Sequence, residues 1–245
     1  MLKRATGFFG GFFVFYSTAF CAVDTSGLKL SAYAGLANTA IGSGHFTLLG
    51  NETETLVPSN HYSSKATWGL GAAYRYVFQP KRAISRYFHD ALLGLDLFYL
   101  SAAQNGSTVD YGQSNFAYQL GFQSTRLMVD TEWTFHPVLP WLYPFVEGGI
   151  GFTANGTNYL DNPNADVPWG VGQNMPHNMA YQFAYNVGGG LKIPLPHQLE
   201  FSLRYLYAGL GDAKTNASTA SLSTTSAIST HVYSQTVLAG LSLLL

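Results

Sequence analysis

The stretch HVYSQTVLAGLSLLL, from His231 to Leu245, decides which solvent this chain is written for. Tyr233, Val237, Ala239, Leu241, Leu243 and Leu245 fall on one side of an extended strand, and Ser234, Thr236, Gly240 and Ser242 on the other. An alternation of period two marks a strand whose faces meet different surroundings. An aqueous fold has no need of so apolar a run in its last residues. A strand with one face in lipid does.

The same alternation recurs upstream. Leu28, Leu30, Ala32, Ala34 and Leu36 oppose Lys29, Ser31, Tyr33 and Gly35. Trp68, Leu70, Ala72, Tyr74, Tyr76 and Phe78 oppose Thr67, Gly69, Gly71, Ala73 and Arg75, and Leu93, Leu95, Leu97 and Tyr99 oppose Gly94, Asp96 and Phe98. A fourth run changes parity: Tyr118, Leu120 and Phe122 lead, but Leu127, Val129, Thr131, Trp133 and Phe135 finish. Either a bulge near Ser124 and Thr125 or a strand that opens only near Gln119 accounts for that switch. Three more runs follow, around Val146 to Phe152, Phe183 to Leu191 and Leu199 to Tyr207, so the final stretch is the eighth.

The connectors alternate in length. QPKRAISRYF, HPVLPWL and PLPHQ are short, whereas 38–63, 102–115, 155–179 and 212–230 are longer and polar. Tight turns at one rim and large loops at the other are the pattern of an all-β, eight-stranded antiparallel up-and-down transmembrane β-barrel. A water-soluble secreted β protein is the alternative fold, with the apolar faces turned inward. Eight strands enclose only enough room for packed side chains, so the Tyr, Trp, Leu and Phe faces belong outside. Trp68, Trp133, Trp141, Tyr99, Tyr143 and Tyr207 are then candidates for interfacial aromatic girdles.

Composition agrees. Only 10% of the 245 residues are charged, against roughly 25% in soluble domains, while Gly (26), Tyr (16) and Phe (17) are abundant. The balance of 12 Lys and Arg against 13 Asp and Glu argues against nucleic acid as a partner. Residues 1–22 carry Lys3 and Arg4, an aromatic run and then small residues, the order of a secretory signal peptide, with cleavage expected after Ala22 or after Cys21. Residues 23–245 form the expected barrel domain, with no stretch of about 20 apolar residues for a membrane helix.

The less apolar face carries the candidate site: Arg75, Asp96, Arg126, Asp130, Glu132, Glu147, Lys192, Glu200 and Arg204. Isolated charges would cost several kcal/mol each there, so a paired or watered lumen network is expected. It either holds the barrel together or lines a narrow ion or small-solute path. No spacing of His, Cys or acidic residues forms a metal motif, and neither metal nor cofactor is expected. His45, His61, His177 and His231 lie in or beside the expected outer loops. His231 and Ser234 are the one close His and Ser of the last strand, and an orienting acid would have to come from elsewhere in the chain.

Two segments carry a family likeness. FAYNVGGGLKIPLPHQLEFSLRYLYAG (183–209) and YPFVEGGIGF (143–152) resemble consecutive strands of the small bacterial outer-membrane barrels, the group that includes the transmembrane domain of outer-membrane protein A and the opacity-type surface proteins. The resemblance implies outer-membrane localisation, contact with outer-membrane lipids and lipopolysaccharide, and insertion by the barrel assembly machinery. Tyr233, Val237, Leu241, Leu243 and Leu245 match the C-terminal assembly signal, although the chain ends in Leu in place of the usual aromatic residue. It also implies a structural or surface-interaction role without catalysis, with a host or surface ligand met through the loops. A narrow channel and a lipid A-modifying enzyme are the alternatives.

Overall fold

The computed structural model describes residues 26–47, 53–60, 62–80, 82–110, 113–163, 172, 174–217, 219–220, 223–224 and 226–245. The expected signal peptide and His61 lie outside the described residues. The strands are β1 (Gly27–Ile41), β2 (His45–Thr47), β3 (Thr53–Pro58), β4 (Tyr62–Val77), β5 (Phe88–Asp110), β6 (Gln113–Phe135), β7 (Tyr143–Pro163), β8 (Asn174–Pro194), β9 (Leu199–Lys214), β10 (Thr219–Ala220), β11 (Ser223–Thr224) and β12 (Ser229–Leu244). One short 3-10 turn, η1 (Ala83–Arg86), sits between β4 and β5.

The eight long strands pair antiparallel in chain order, and β12 returns to β1 from Lys29↔Leu244 to Ile41↔Val232. The sheet is therefore a closed ring, which leaves no bare strand edge to hydrocarbon. Leu245 N–H extends the seam by donating to the Leu28 carbonyl at 2.8 Å. Tyr233, Val237, Leu241, Leu243 and Leu245 all stand on its exposed face.

The exterior carries the large apolar side chains. Leu93, Leu95, Leu127, Val129, Ile150, Phe183, Leu203 and Leu241 are exposed, while Lys29, Asp96, Arg126, Asp130 and Arg204 are buried inside. Two aromatic belts bound this zone. Near the short turns, Trp133 meets Phe78 at 6.1 Å and Phe88 at 5.3 Å, and Tyr76 meets Phe78 at 5.5 Å. Near the long loops, Trp68 meets Tyr99 at 5.8 Å, and Tyr207 stacks on Tyr233 at 6.1 Å. Tyr143 departs from the girdle expectation: it faces inward beside the His89 ring at 5.3 Å. Trp141 lies in the turn between β6 and β7 rather than on a strand.

The long-loop side departs most from expectation. Residues 102–115 were expected as a loop, yet β5 and β6 run through them and only 111–112 separate the two strands. Each is 23 residues long. At about 3.3 Å per residue and a tilt near 40° such a strand rises roughly 55–60 Å, about twice a ~25 Å apolar band. The upper half of this wall therefore stands in water.

There the polarity inverts. Tyr118, Leu120 and Phe122 point inward with Leu100, Leu56, Tyr159, Met175 and Val232 into one apolar cluster. Gln119, Gln123 and Thr125 stand on the outer, exposed side. The parity switch in β6 is thus neither a bulge nor a late start. Its register runs unbroken from Phe116↔Pro163 to Thr134↔Phe145 against β7. What changes near Ser124 and Thr125 is the solvent.

Two devices finish the water-exposed wall. β4 leaves β5 above Thr67↔Leu100, and β3 takes up that edge from Pro58↔Gly106 to Thr55↔Val109. On the other side the β8 and β9 ladder ends at Tyr185↔Gly209. Beyond it Gly211 adopts φ +71°, a backbone that favours glycine. The Asn155 amide donates to the Leu210 carbonyl at 2.7 Å, and that of Asn178 to the Lys214 carbonyl at 3.0 Å.

The inversion places the membrane boundary within β6, which arginine scanning of its outer face tests. Val129→Arg is expected to destabilise the folded barrel by about 2–4 kcal/mol, while Gln119→Arg, on the same face of the same strand, changes stability by less than about 0.5 kcal/mol. Urea unfolding in lipid vesicles reads the difference, and equal costs would contradict the boundary.

Candidate functional site

The membrane-level interior is narrow, and small residues make room for its few large ones. A Cβ on Gly71 would overlap the Asp96 carboxylate, and one on Gly149 would overlap that of Asp130. Glycine in β4 and in the GGIG segment of β7 thus answers a packing requirement, since added methylenes are costly in a filled interior.

All nine charged residues singled out in the sequence are buried in this lumen. The structure adds Lys29 and Asp90. Lys29 already lay on the inner face by parity, whereas Asp90 precedes the apolar run that marked its strand, although its even number shares the parity of Asp96. Among the described residues the membrane-level lumen then holds six carboxylates (Asp90, Asp96, Asp130, Glu132, Glu147, Glu200) against five basic side chains (Lys29, Arg75, Arg126, Lys192, Arg204).

Most of these groups form a cross-linked lattice. Asp90 accepts from Arg75 Nη2 at 2.6 Å and from Thr134 Oγ1 at 2.6 Å, and its Oδ2 lies 2.9 Å from His89 Nδ1. Lys192 donates to Thr134 Oγ1 at 2.8 Å and pairs with Glu132. Arg204 bridges Glu132 at 3.4 Å and Glu147 at 2.8 Å. Lys29 Nζ donates to Glu200 at 2.5 Å, and Ser31 meets Ser242 of the closing strand at 2.9 Å. Pairing is what makes such burial tolerable, because each unpaired ion would cost several kcal/mol.

Aromatic rings serve the remaining cations. The Arg204 guanidinium lies 4.2 Å from the Tyr33 ring centre, Tyr33 stacks on Phe98 at 5.7 Å, and Phe98 receives the Arg126 guanidinium at 4.6 Å. Four planar groups thus form one stack from the lattice up to the apolar cluster. Arg126 depends on it, because its Nε and Nη1 have no hydrogen-bond partner. Sequence reading placed Tyr33 and Phe98 on the inner face but did not connect them to the arginines, since parity gives the face and not the neighbour across the lumen.

Little open space remains. One void is lined by Lys29, Tyr33, Asp96, Asp130 and Arg204 and another by Arg75, Asp90, Thr134, Lys192 and Glu200. Each measures about 20 Å³, enough for about one water. Above them the apolar cluster packs inside the barrel, with Gln104, Thr108 and Asn155 buried beside it.

The histidine readings separate. His231 Nδ1 lies 2.5 Å from Asp212 Oδ1 on the outer face, so a distant acid does reach it. Ser234, however, is buried on the opposite face, 3.1 Å from Thr236 Oγ1. The strand pleat holds His231 and Ser234 apart, and they form no nucleophile and base pair. Among the described residues no three His, Cys or acidic side chains cluster as metal ligands.

A closed antiparallel ring with an apolar exterior, two aromatic belts and a charged interior defines a transmembrane β-barrel of the bacterial outer-membrane type. No family model and no curated protein sequence matches the chain. Among solved structures it is similar to the outer-membrane protease OmpT from Escherichia coli, at 7% identity over 89% of this chain and 97% of that one, with a TM-score of 0.51. Neisserial surface protein A is similar at 12% identity over 90% of this chain and 98% of that one, with a TM-score of 0.44. OprG from Pseudomonas aeruginosa is similar at 14% identity over 88% and 96%, with a TM-score of 0.45. At these identities the likeness is one of fold.

The lattice and the stack are separately testable by urea unfolding. Arg204→Met leaves Glu147 and Glu132 short of a counter-charge and is expected to cost about 3–5 kcal/mol. Adding Glu147→Gln should return about 1–2 kcal/mol of that loss. Phe98→Leu withdraws the ring face from Arg126 and is expected to cost about 2 kcal/mol; an unchanged unfolding midpoint would remove the stack from the account.

Proposed function

We propose that this chain is a non-enzymatic barrel of the bacterial outer membrane that works through its extracellular rim, in a structural or surface-interaction role. The observation that carries this reading is the lumen. A largely paired charge lattice occupies its lower half, and above it an apolar cluster packs inside the bore beside buried polar groups such as Gln104 and Asn155. A solute path would need a continuous open bore, and the side chains of both halves pack inward across it. The charged voids favour a narrow channel only within the lower half.

The rim is built for presentation. β5, β6, β7 and β8 extend the wall beyond the upper aromatic belt with a mainly polar outer surface and an inside packed around one apolar cluster. Such a wall carries its strand ends at Thr47, Thr53, Pro163 and Asn174 away from the membrane on a stiff support, as recognition loops require. Outer-membrane lipids and lipopolysaccharide surround the belts in this reading, a surface ligand meets the loops, and the barrel assembly machinery recognises Tyr233, Val237, Leu241, Leu243 and Leu245. Lipid A modification through His231 and Ser234 is disfavoured by their opposite faces.

Two measurements test the proposal. Purified barrel that migrates differently with and without boiling is expected to give no single-channel steps in planar bilayers. Stable conductance would favour the channel. Cells displaying the chain are expected to bind a host or neighbouring-cell surface, and replacement of 48–52 and 164–171 by Gly-Ser linkers should abolish that binding while the boiling shift remains. Binding that survives the replacement would remove the loops from the function.

A further inference from the structure

The periplasmic rim holds a bowl of about 880 Å³ between the β4–β5 and β6–β7 turns, lined in part by Phe78, Arg82, Ser85, Arg86, His89 and His136. Its size falls in the range of small-molecule sites. It is also one-sided in charge. The described residues of the short turns, within 78–87, 136–142 and 195–198, include Arg82 and Arg86 and no acidic side chain. His136 Nε2 lies 2.7 Å from the Ser85 carbonyl, which ties η1 to the neighbouring turn.

The bowl lies at the membrane surface. The Arg82 guanidinium stands 5.8 Å from the centre of the Tyr76 ring, and Tyr76 belongs to the lower aromatic belt on the lipid-facing side. Phe78, part of the bowl's wall, stacks on Trp133 of the same belt. Aromatic belts sit at headgroup depth, so Arg82 is placed where the phosphates of the periplasmic leaflet lie, and Arg86 lines the same bowl. Guanidinium groups suit phosphate because their planar fork gives two parallel charge-assisted hydrogen bonds.

We propose that this bowl is a binding site for the phosphate of an anionic phospholipid of the periplasmic leaflet, with Arg82 and Arg86 as its cationic partners and Tyr76, Phe78 and Trp133 as the apolar wall beside the acyl chains. The site is independent of the loops and adjoins the lumen lattice at His89, whose Nδ1 lies 2.9 Å from Asp90 Oδ2. Phosphate is the recognised chemistry, and the belt argues for a lipid as its carrier rather than a soluble ester.

Native mass spectrometry of the folded full-length barrel, released from detergent with phosphatidylglycerol, phosphatidylcholine or glycerol 3-phosphate, tests the assignment. Wild type is expected to retain phosphatidylglycerol well above phosphatidylcholine and to retain no glycerol 3-phosphate. Arg82→Gln with Arg86→Gln should lower phosphatidylglycerol retention by roughly tenfold, and Arg82→Lys with Arg86→Lys should restore part of it. The boiling shift verifies the fold of each variant, and Arg86→Gln alone serves if the double variant does not fold. Equal retention of the two lipids, or retention unaffected by the Gln variants, would overturn the proposal. Retention of glycerol 3-phosphate equal to that of the lipid would overturn the lipid as carrier.

Discussion

In hydrocarbon every backbone N–H and C=O needs a partner from the chain itself, and for a sheet that means closure. The seam of β1 with β12 supplies it, and the rest of the molecule follows from where the ring closes. Eight strands leave an interior just wide enough for side chains. Large aromatic and branched residues are therefore placed outside, where lipid accepts them, and glycine is placed inside opposite several bulky groups. The Gly71 and Asp96 pair and the Gly149 and Asp130 pair are local results of that single geometric limit.

Solvent then divides the barrel along its axis. Below the upper belt the outside is lipid, so apolar groups face out and the interior takes charge. Above it the outside is water, and the same strands bury Leu120, Phe122 and Tyr159 in the bore. Backbone and register continue unchanged through β6 from Phe116 to Thr134 while the preferred face of apolar residues exchanges. A strand that crosses an interface must therefore carry a parity switch in its sequence without any change in its hydrogen bonding.

That switch explains where sequence reading succeeded and where it stopped. Strand number, face assignment and ring closure were legible because period-two patterning is strong wherever one face meets lipid, and Arg75, Asp96 and Glu132 were identified by parity alone. The same logic misread 102–115 as a loop, because Asn105, Ser107 and Thr108 look like connector residues when a strand is assumed to lie in lipid. Partners across the lumen were not legible. Lys29 meets Glu200 at a separation of 171 residues, and no local pattern encodes such a pairing.

Those distant pairings bear on why the ring has eight members. Lys192 on β8 reaches Glu132 on β6, Arg204 on β9 reaches the same Glu132, and Lys29 on β1 reaches Glu200 on β9. None of these strand pairs is adjacent in the ring. Each ion pair thus reaches past at least one intervening strand, and its length depends on the curvature of the ring, and so on bore width, in a way that a ladder hydrogen bond does not. In a wider ring the same charges would lie farther apart, and each would need water where the narrow ring supplies a partner. In a narrower one the stack of Arg204, Tyr33, Phe98 and Arg126 would not fit beside them. Apolar side chains in the lumen would fill the eight-stranded bore about as stably but would tolerate a change of width, whereas a buried charge penalises every ring in which its partner is out of reach.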